Sequence, residues 1–141
     1  MKPHVTGLVG LLLLTACVPA IPIPTPKGPP KPASEVVNSA ALEPRDGTGA
    51  IAVSRDHSLR RLRCTYVIAL DGQPLAGLRS GEHVTIYAEP GTRTLGVTIR
   101  PDGKCKAALA QVPLQVVANA TTKIRIVADV SYDLRIEATT Y

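Results

Sequence analysis

Three cysteines, Cys17, Cys64 and Cys105, carry the most versatile side-chain chemistry in this sequence. A thiol can be acylated, oxidised to a disulfide or, as the thiolate, bound to zinc. If Cys17 is acylated, two cysteines remain, Cys64 and Cys105. If the chain is also exported to an oxidising compartment, we expect a disulfide between these two. That bond would close a loop of roughly 40 residues and contribute about 4 kcal/mol to stability. Two buried free thiols are the alternative.

A zinc site made of His57, His83, Cys64 and Cys105 is a second alternative, because the ligand types are suitable. None of these residues shows the close pair spacing that zinc-binding motifs have. We therefore expect no metal and no other cofactor.

The run Ser54-Arg55-Asp56-His57-Ser58 contains the residue types of a hydrolytic triad. Neighbours along a chain do not converge as nucleophile, base and orienting group, and the sequence has no G-x-S-x-G elbow. A polar loop between strands explains the run, so we expect no enzyme. A hydrolase of envelope polymer that uses His57 or His83 is the least favoured function class.

Four arginines lie around the start of the predicted strand that carries Cys64. Guanidinium groups bind phosphates and carboxylates in a two-pronged geometry. The four could therefore form a basic edge that binds lipid head groups, cell-wall polymer or a partner protein. In the alternative interpretation, they keep an edge strand soluble and discourage pairing between sheets. The candidate binding residues are Arg55, Arg60, Arg61 and Arg63.

The segment before Cys17 places this cysteine in an export signal. Lys2 supplies a basic start, and the apolar run from Val5 to Leu14 is too short to span a bilayer as a mature helix. The residues Leu14-Thr15-Ala16-Cys17 resemble the bacterial lipobox, in which the cysteine is lipidated and the chain is cut before it. An ordinary signal peptide with a chance cysteine is the alternative.

The resemblance implies a signal peptide at residues 1–16 and a mature chain anchored by acyl groups on Cys17. Two or three acyl chains make release from a membrane negligible. Val18 stands where an acidic residue is the familiar signal for inner-membrane retention. The resemblance therefore favours the outer membrane, with the protein facing the periplasm.

Seven prolines between Val18 and Ser34 separate this anchor from the rest of the chain. Proline fixes its own φ and biases the preceding residue toward extended geometry, so the segment is expected to sample polyproline II. We interpret residues 17–46 as a tether, with a loose helical turn between Ser34 and Arg45. A ligand for an aromatic groove is the alternative for the prolines.

From Asp46 onward the hydrophobic pattern has period two, which is typical of strands with one buried face. Turn residues punctuate it, and Asp71-Gly72 is a strong hairpin signal. Residues 47–141 are thus predicted to form one all-β domain, a small antiparallel β-sandwich. The predicted strands are Gly49–Ser54, Arg61–Leu70, Pro74–Leu78, His83–Glu89, Thr94–Arg100, Ala107–Val112, Leu114–Val117, Lys123–Ala128 and Asp133–Thr139.

Composition restricts the core and the partners of this domain. The chain has 141 residues, 45% of them hydrophobic, with four Tyr and neither Phe nor Trp, so the core must be aliphatic. The formal net charge of +5 could favour anionic lipids or acidic wall polymers. Aromatic platforms for nucleic-acid bases are lacking, so we expect no nucleic-acid partner.

Two stretches resemble known envelope proteins. Tyr66–Leu78, followed by Gly81 and Glu89–Val97, is similar to the PEGA and DUF2846 domain families, which have a strand, an Asp-Gly turn, a short strand and a later Pro-Gly hairpin. This resemblance implies a transthyretin-like (prealbumin-like) sandwich. Gly91–Val97 is also similar to the lipoprotein that anchors type VI secretion baseplates.

Together these features predict a lipid-anchored, non-catalytic envelope protein with a binding or scaffolding role. Its partners would be the membrane, through Cys17, and an envelope protein or cell-wall polymer. A structural part of a secretion or surface apparatus is the alternative function.

Overall fold

A computed structural model describes residues 31–58, 62–128 and 134–139, and these residues form a β-sandwich. The segment 1–30, with Cys17 and most of the predicted tether, lies outside the described residues. One 3₁₀ turn, Ser39–Leu42, accompanies the strands. The strands are β1 (Lys31–Pro32), β2 (Glu35–Val36), β3 (Gly49–Arg55), β4 (Tyr66–Leu70), β5 (Gln73–Leu78), β6 (Glu82–Ala88), β7 (Gly91–Ile99), β8 (Ala108–Val116), β9 (Thr121–Ala128) and β10 (Leu134–Thr139).

Two five-stranded sheets make up the sandwich, which confirms the predicted fold class. Sheet I has the order β1-β6-β3-β9-β10 and sheet II the order β2-β5-β4-β7-β8. Most pairs are antiparallel, but β3 pairs with β9, and β1 with β6, in parallel. Parallel pairing requires a long connection, and five strands lie between β3 and β9 in the chain.

The core between the sheets is aliphatic, as the composition requires. Alternate residues of β3, β6 and β7 point inward, because side chains alternate between the two faces of a strand. Tyr66 is the one aromatic side chain among the buried core residues of the described part. Large side chains that are almost fully buried are Ile51, Val53, Tyr66, Ile68, Leu78, Ile86, Leu95, Val97, Ile99, Val116, Ile124 and Ile126.

The end of the predicted tether belongs to the sandwich, since residues 31–46 pack against it. β1 pairs with β6 of sheet I, and β2 pairs with β5 of sheet II. Ala41 and Leu42 of the 3₁₀ turn pack against the core. The folded unit therefore begins by Lys31, because the edges of both sheets offer unpaired backbone groups that this segment can bind.

The Asp71-Gly72 turn is a two-residue hairpin between β4 and β5, as the sequence predicts. Both residues have positive φ, 49° and 81°, and this backbone conformation matches the twist of the flanking strands. The Pro90-Gly91 segment differs from the expected hairpin. It carries the chain from β6 in sheet I to β7 in sheet II, so the strands on its two sides do not pair with each other.

β8 is one nine-residue strand where the sequence predicts two, because Pro113 does not interrupt its pairing. β8 lies at the edge of sheet II and pairs with β7 on one side. Pro113 pairs with Thr94 without a register shift. Its missing N–H must therefore face away from β7, the position where an edge strand tolerates proline.

The sandwich has two ends, which we name by their distance from Lys31. The proximal end holds Lys31, the described loop residues 56–58 and 62–65, and the loops 79–81 and 100–107. The distal end holds the turns 71–72, 89–90 and 117–120. Strand pairing fixes this division, since Ser54 at the end of β3 pairs with His83 at the start of β6.

Candidate functional site

Cys64 and Cys105 are joined by a disulfide at the proximal end. Their Cα atoms are 5.7 Å apart, within the range that a disulfide requires. The bond links the loop before β4 to the loop between β7 and β8. Neither sulfur atom is therefore available as a thiolate ligand for zinc.

Arg55 is a buried residue and not part of a surface, which corrects the predicted basic edge. Only 3% of Arg55 is exposed. Its Nη1 donates to the carbonyl oxygens of Cys64 and Leu78, at 2.5 and 2.9 Å. The guanidinium carbon lies 3.6 Å from the centre of the Tyr66 ring, a cation–π contact. Arg55 of sheet I is thus bound to backbone and ring of sheet II.

The period-two pattern of β3 explains this burial. Ile51, Val53 and Arg55 occupy alternate positions of one strand and share its inward face. The period-two alternation that predicts the buried residues of β3 also places Arg55 on the inward face. Its charge suggested a surface position instead.

Of the other predicted binding arginines, the structure describes only Arg63. Arg63 is exposed in the loop before β4. β4 lies between β5 and β7, so it is an interior strand of sheet II. Arg60 and Arg61 lie outside the described residues.

Residues of the Ser54–Ser58 run make contacts that hold the proximal loops in place. The Asp56 carboxylate accepts hydrogen bonds from Nε and Nη2 of Arg125, at 2.7 and 2.6 Å. The His57 ring packs over Gly81, where a Cβ atom would collide with it. The backbone N–H of Ser58 donates to Oγ of Ser80 at 2.8 Å. Asp56 and His57 therefore face different partners and do not form a base with its orienting group.

His83 contacts the N-terminal segment. Its Nδ1 is 2.8 Å from the carbonyl oxygen of Lys31. Within residues 31–58, 62–128 and 134–139, no three His, Cys, Asp or Glu side chains are grouped so that they could hold a metal ion.

Glu82 is a structural residue that the sequence reasoning missed. It is 8% exposed. Its Oε2 accepts hydrogen bonds from the N–H of Arg79 at 2.7 Å and from both the N–H and the Oγ of Ser34 at 3.1 Å. Glu82 therefore binds the N-terminal segment to the start of β6. Its parity with Val84 and Ile86 was the available signal.

Two exposed carboxylates have partners that lower their pKa values. The hydrogen bond from Arg100 holds the pKa of Glu35 below its ordinary value. For Asp71 the largest cause of a lowered pKa is the hydrogen bond from the Thr94 backbone N–H at 2.9 Å, followed by Arg93. Both groups fix backbone segments, and neither forms a cluster with a nucleophile.

Comparison with protein-family models, curated protein sequences and solved structures finds no match for this chain. Among the described residues, no helix has the length and apolar character that crossing a membrane requires.

Proposed function

We propose that this chain is a bacterial lipoprotein, cut before Cys17 and anchored through acyl groups on that cysteine in the outer membrane, facing the periplasm. The observation that carries the proposal is the motif Leu14-Thr15-Ala16-Cys17 directly after a basic start and a short apolar run. The disulfide between Cys64 and Cys105 supports an oxidising compartment, because such bonds persist outside the cytosol.

The β-sandwich is, in this proposal, a non-catalytic binding or scaffolding domain of the kind found in PEGA-like envelope proteins. The side chains that suggested catalysis support this interpretation by their contacts. Asp56 binds Arg125, His57 packs on Gly81, and the cysteines are bonded to each other.

The intact mass of the protein extracted from membranes tests the anchor. We expect a chain that starts at an acylated Cys17 and gains the mass of two hydrogen atoms on reduction. Cys17→Ser is the matched control, and this variant should lack the acyl mass and retain the uncut residues 1–16. A wild-type chain without acyl groups would contradict the proposal.

Crosslinking in cells then tests the binding or scaffolding role. An envelope protein or wall fragment captured by the anchored chain, and lost with Cys17→Ser, is the expected result. A defined set of high-mass partners would favour a structural part of a larger apparatus. A solitary monomer at native abundance would contradict both roles.

A further inference from the structure

The proximal end carries a group of exposed cations. They come from four separate segments: the start of β1, the loop before β4, the β5–β6 turn and the β7–β8 loop. No ion pair binds any of them within the part of the chain that the structure describes. The five cations are Lys31, Arg63, Arg79, Lys104 and Lys106.

Three of the described carboxylates near these cations already have partners. Glu35 is bound by Arg100 and Asp56 by Arg125. Buried Glu82 accepts three hydrogen bonds. Asp102 is exposed, and its charge acts on Arg100, whose pKa is raised mainly by the hydrogen bond to Glu35 and in part by Asp102. Counted over the described residues, the proximal surface is therefore net positive.

The distal end has the opposite balance. Arg93 there is paired with Asp71. Further exposed carboxylates at or near this end are Glu43, Asp46 and Glu89, and Arg45 is an exposed cation near them. Between the described residues of the two ends, the excess of positive charge thus lies at the proximal end.

Leu62 adds an apolar side chain to the proximal cations. It is 51% exposed and directly precedes Arg63 in the loop before β4. An exposed leucine beside basic residues suits the boundary between lipid head groups and acyl chains, where both kinds of side chain are stabilised. An acidic polymer would neutralise the cations but would offer no apolar layer to Leu62.

The position of Lys31 decides which end of the sandwich lies nearer to the membrane anchor. The chain joins the sandwich at the proximal end, and fewer than fifteen residues separate Lys31 from Cys17. Such a segment spans at most roughly 50 Å. An anchor on Cys17 therefore holds the sandwich by its proximal end, and within roughly 50 Å of the bilayer.

We infer that the proximal end docks on the anionic phospholipid surface that holds the anchor. Leu62 enters the head-group layer, and the five cations contact lipid phosphates around it. This inference rests on the proposed lipid anchor. It adds an orientation of the sandwich, in which the turns of the distal end point away from the membrane.

A tryptophan reporter tests the docking, because the chain has no Trp of its own. Leu62→Trp places the reporter at the proximal end. Val117→Trp, at a distal residue that is 55% exposed, is the matched control. The full acylated protein is reconstituted into vesicles of phosphatidylcholine alone or mixed with phosphatidylglycerol, with brominated acyl chains as quencher.

In the anionic vesicles, L62W emission should shift to the blue and be quenched, while V117W emission stays as in neutral vesicles. Lys104→Gln and Lys106→Gln should each lower the ratio of docked to undocked protein about fivefold. High salt should reverse the quenching, since screening weakens exposed charges. Equal quenching of L62W and V117W would overturn the inference.

Flotation of the vesicles separates the two proposals. Protein that floats while L62W stays unquenched is anchored but not docked, which overturns only the docking. If the protein does not float, the anchor is absent, and the unacylated chain added to anionic vesicles still decides the docking by the same emission shift. A larger L62W shift with polyglutamate than with vesicles would overturn the docking in favour of an acidic polymer.

Discussion

The two ends of the sandwich are closed by different means. At the distal end, Asp71-Gly72 turns the chain within two residues by backbone conformation. At the proximal end, long loops are tied by contacts between residues far apart in sequence, such as Cys64 with Cys105 and Glu82 with Ser34. Loss of one of these long-range contacts at the proximal end should therefore weaken the whole sandwich, and a change in a distal turn only that turn.

Loss of the disulfide should have the largest effect. With both Cys64 and Cys105 replaced by alanine, the unfolded chain is released from a loop whose ends are 41 residues apart. The free energy of unfolding should fall by about 4 kcal/mol, measured by urea denaturation. A loss below about 1 kcal/mol would show that the proximal end does not depend on the bond.

Arg55→Met should be the next most harmful change. It leaves the carbonyl oxygens of Cys64 and Leu78 without their donor, and we expect a loss of about 3 kcal/mol. Arg63→Met, at an exposed site nearby, is the control and should change stability by less than about 0.5 kcal/mol. Equal effects of the two substitutions would contradict the structural role of Arg55.

Glu82→Ala should release the N-terminal segment. The N–H groups of Ser34 and Arg79 lose their acceptor, which should cost about 2 kcal/mol. Hydrogen exchange at the Ser34 amide should become faster, while Glu89→Ala at the exposed distal end leaves it unchanged. Unaltered protection of Ser34 in the Glu82 variant would argue against this role.

Two glycine substitutions, one in the distal Asp71-Gly72 turn and one within β7, should change stability with opposite signs. Gly72 has a φ of 81°, so Gly72→Ala should lower stability by about 1 kcal/mol through backbone strain. Gly96 in β7 has no positive φ, and a Cβ there would meet Gln111 and Ala69 at 3.8 and 3.9 Å. Gly96→Ala should therefore raise stability by about 0.5 kcal/mol. Thermal denaturation of both variants checks the signs.

Low pH should slightly lower the free energy of unfolding through one carboxylate at each end. The folded pKa values of Asp71 and Glu35 lie below the unfolded ones, so their contribution is present above the unfolded pKa and is lost as pH falls through the folded pKa. Stability should decline below about pH 4, and the decline should shrink in the double variant Asp71→Asn, Glu35→Gln. An unchanged decline would assign it to other carboxylates.

The same difference between the ends explains what the sequence could predict. Period-two alternation and Asp71-Gly72 are local signals, and they predicted the strands and the distal hairpin. Pairing of β3 with β9, and the change of sheet at Pro90, depend on strands that are distant in the chain. No local pattern carries that information.

Prediction of the candidate site meets the same limit, because partners distant in the chain determine the positions of Arg55, Glu82 and Ser34. The side-chain type of Arg55 suggested a surface, whereas its partners in β4 and β5 make it internal. The N-terminal segment looked like pure tether because its prolines favour extended backbone, and extended backbone is also what the edge of a sheet can bind.

Pro113 has a consequence for how copies of this protein can meet. It removes one outward N–H near the middle of β8, the strand at the edge of sheet II. A strand from another copy would find the row of donors broken into two short stretches, too short for a continuous intermolecular ladder. Addition of a continuous strand from another copy at this edge is thereby disfavoured.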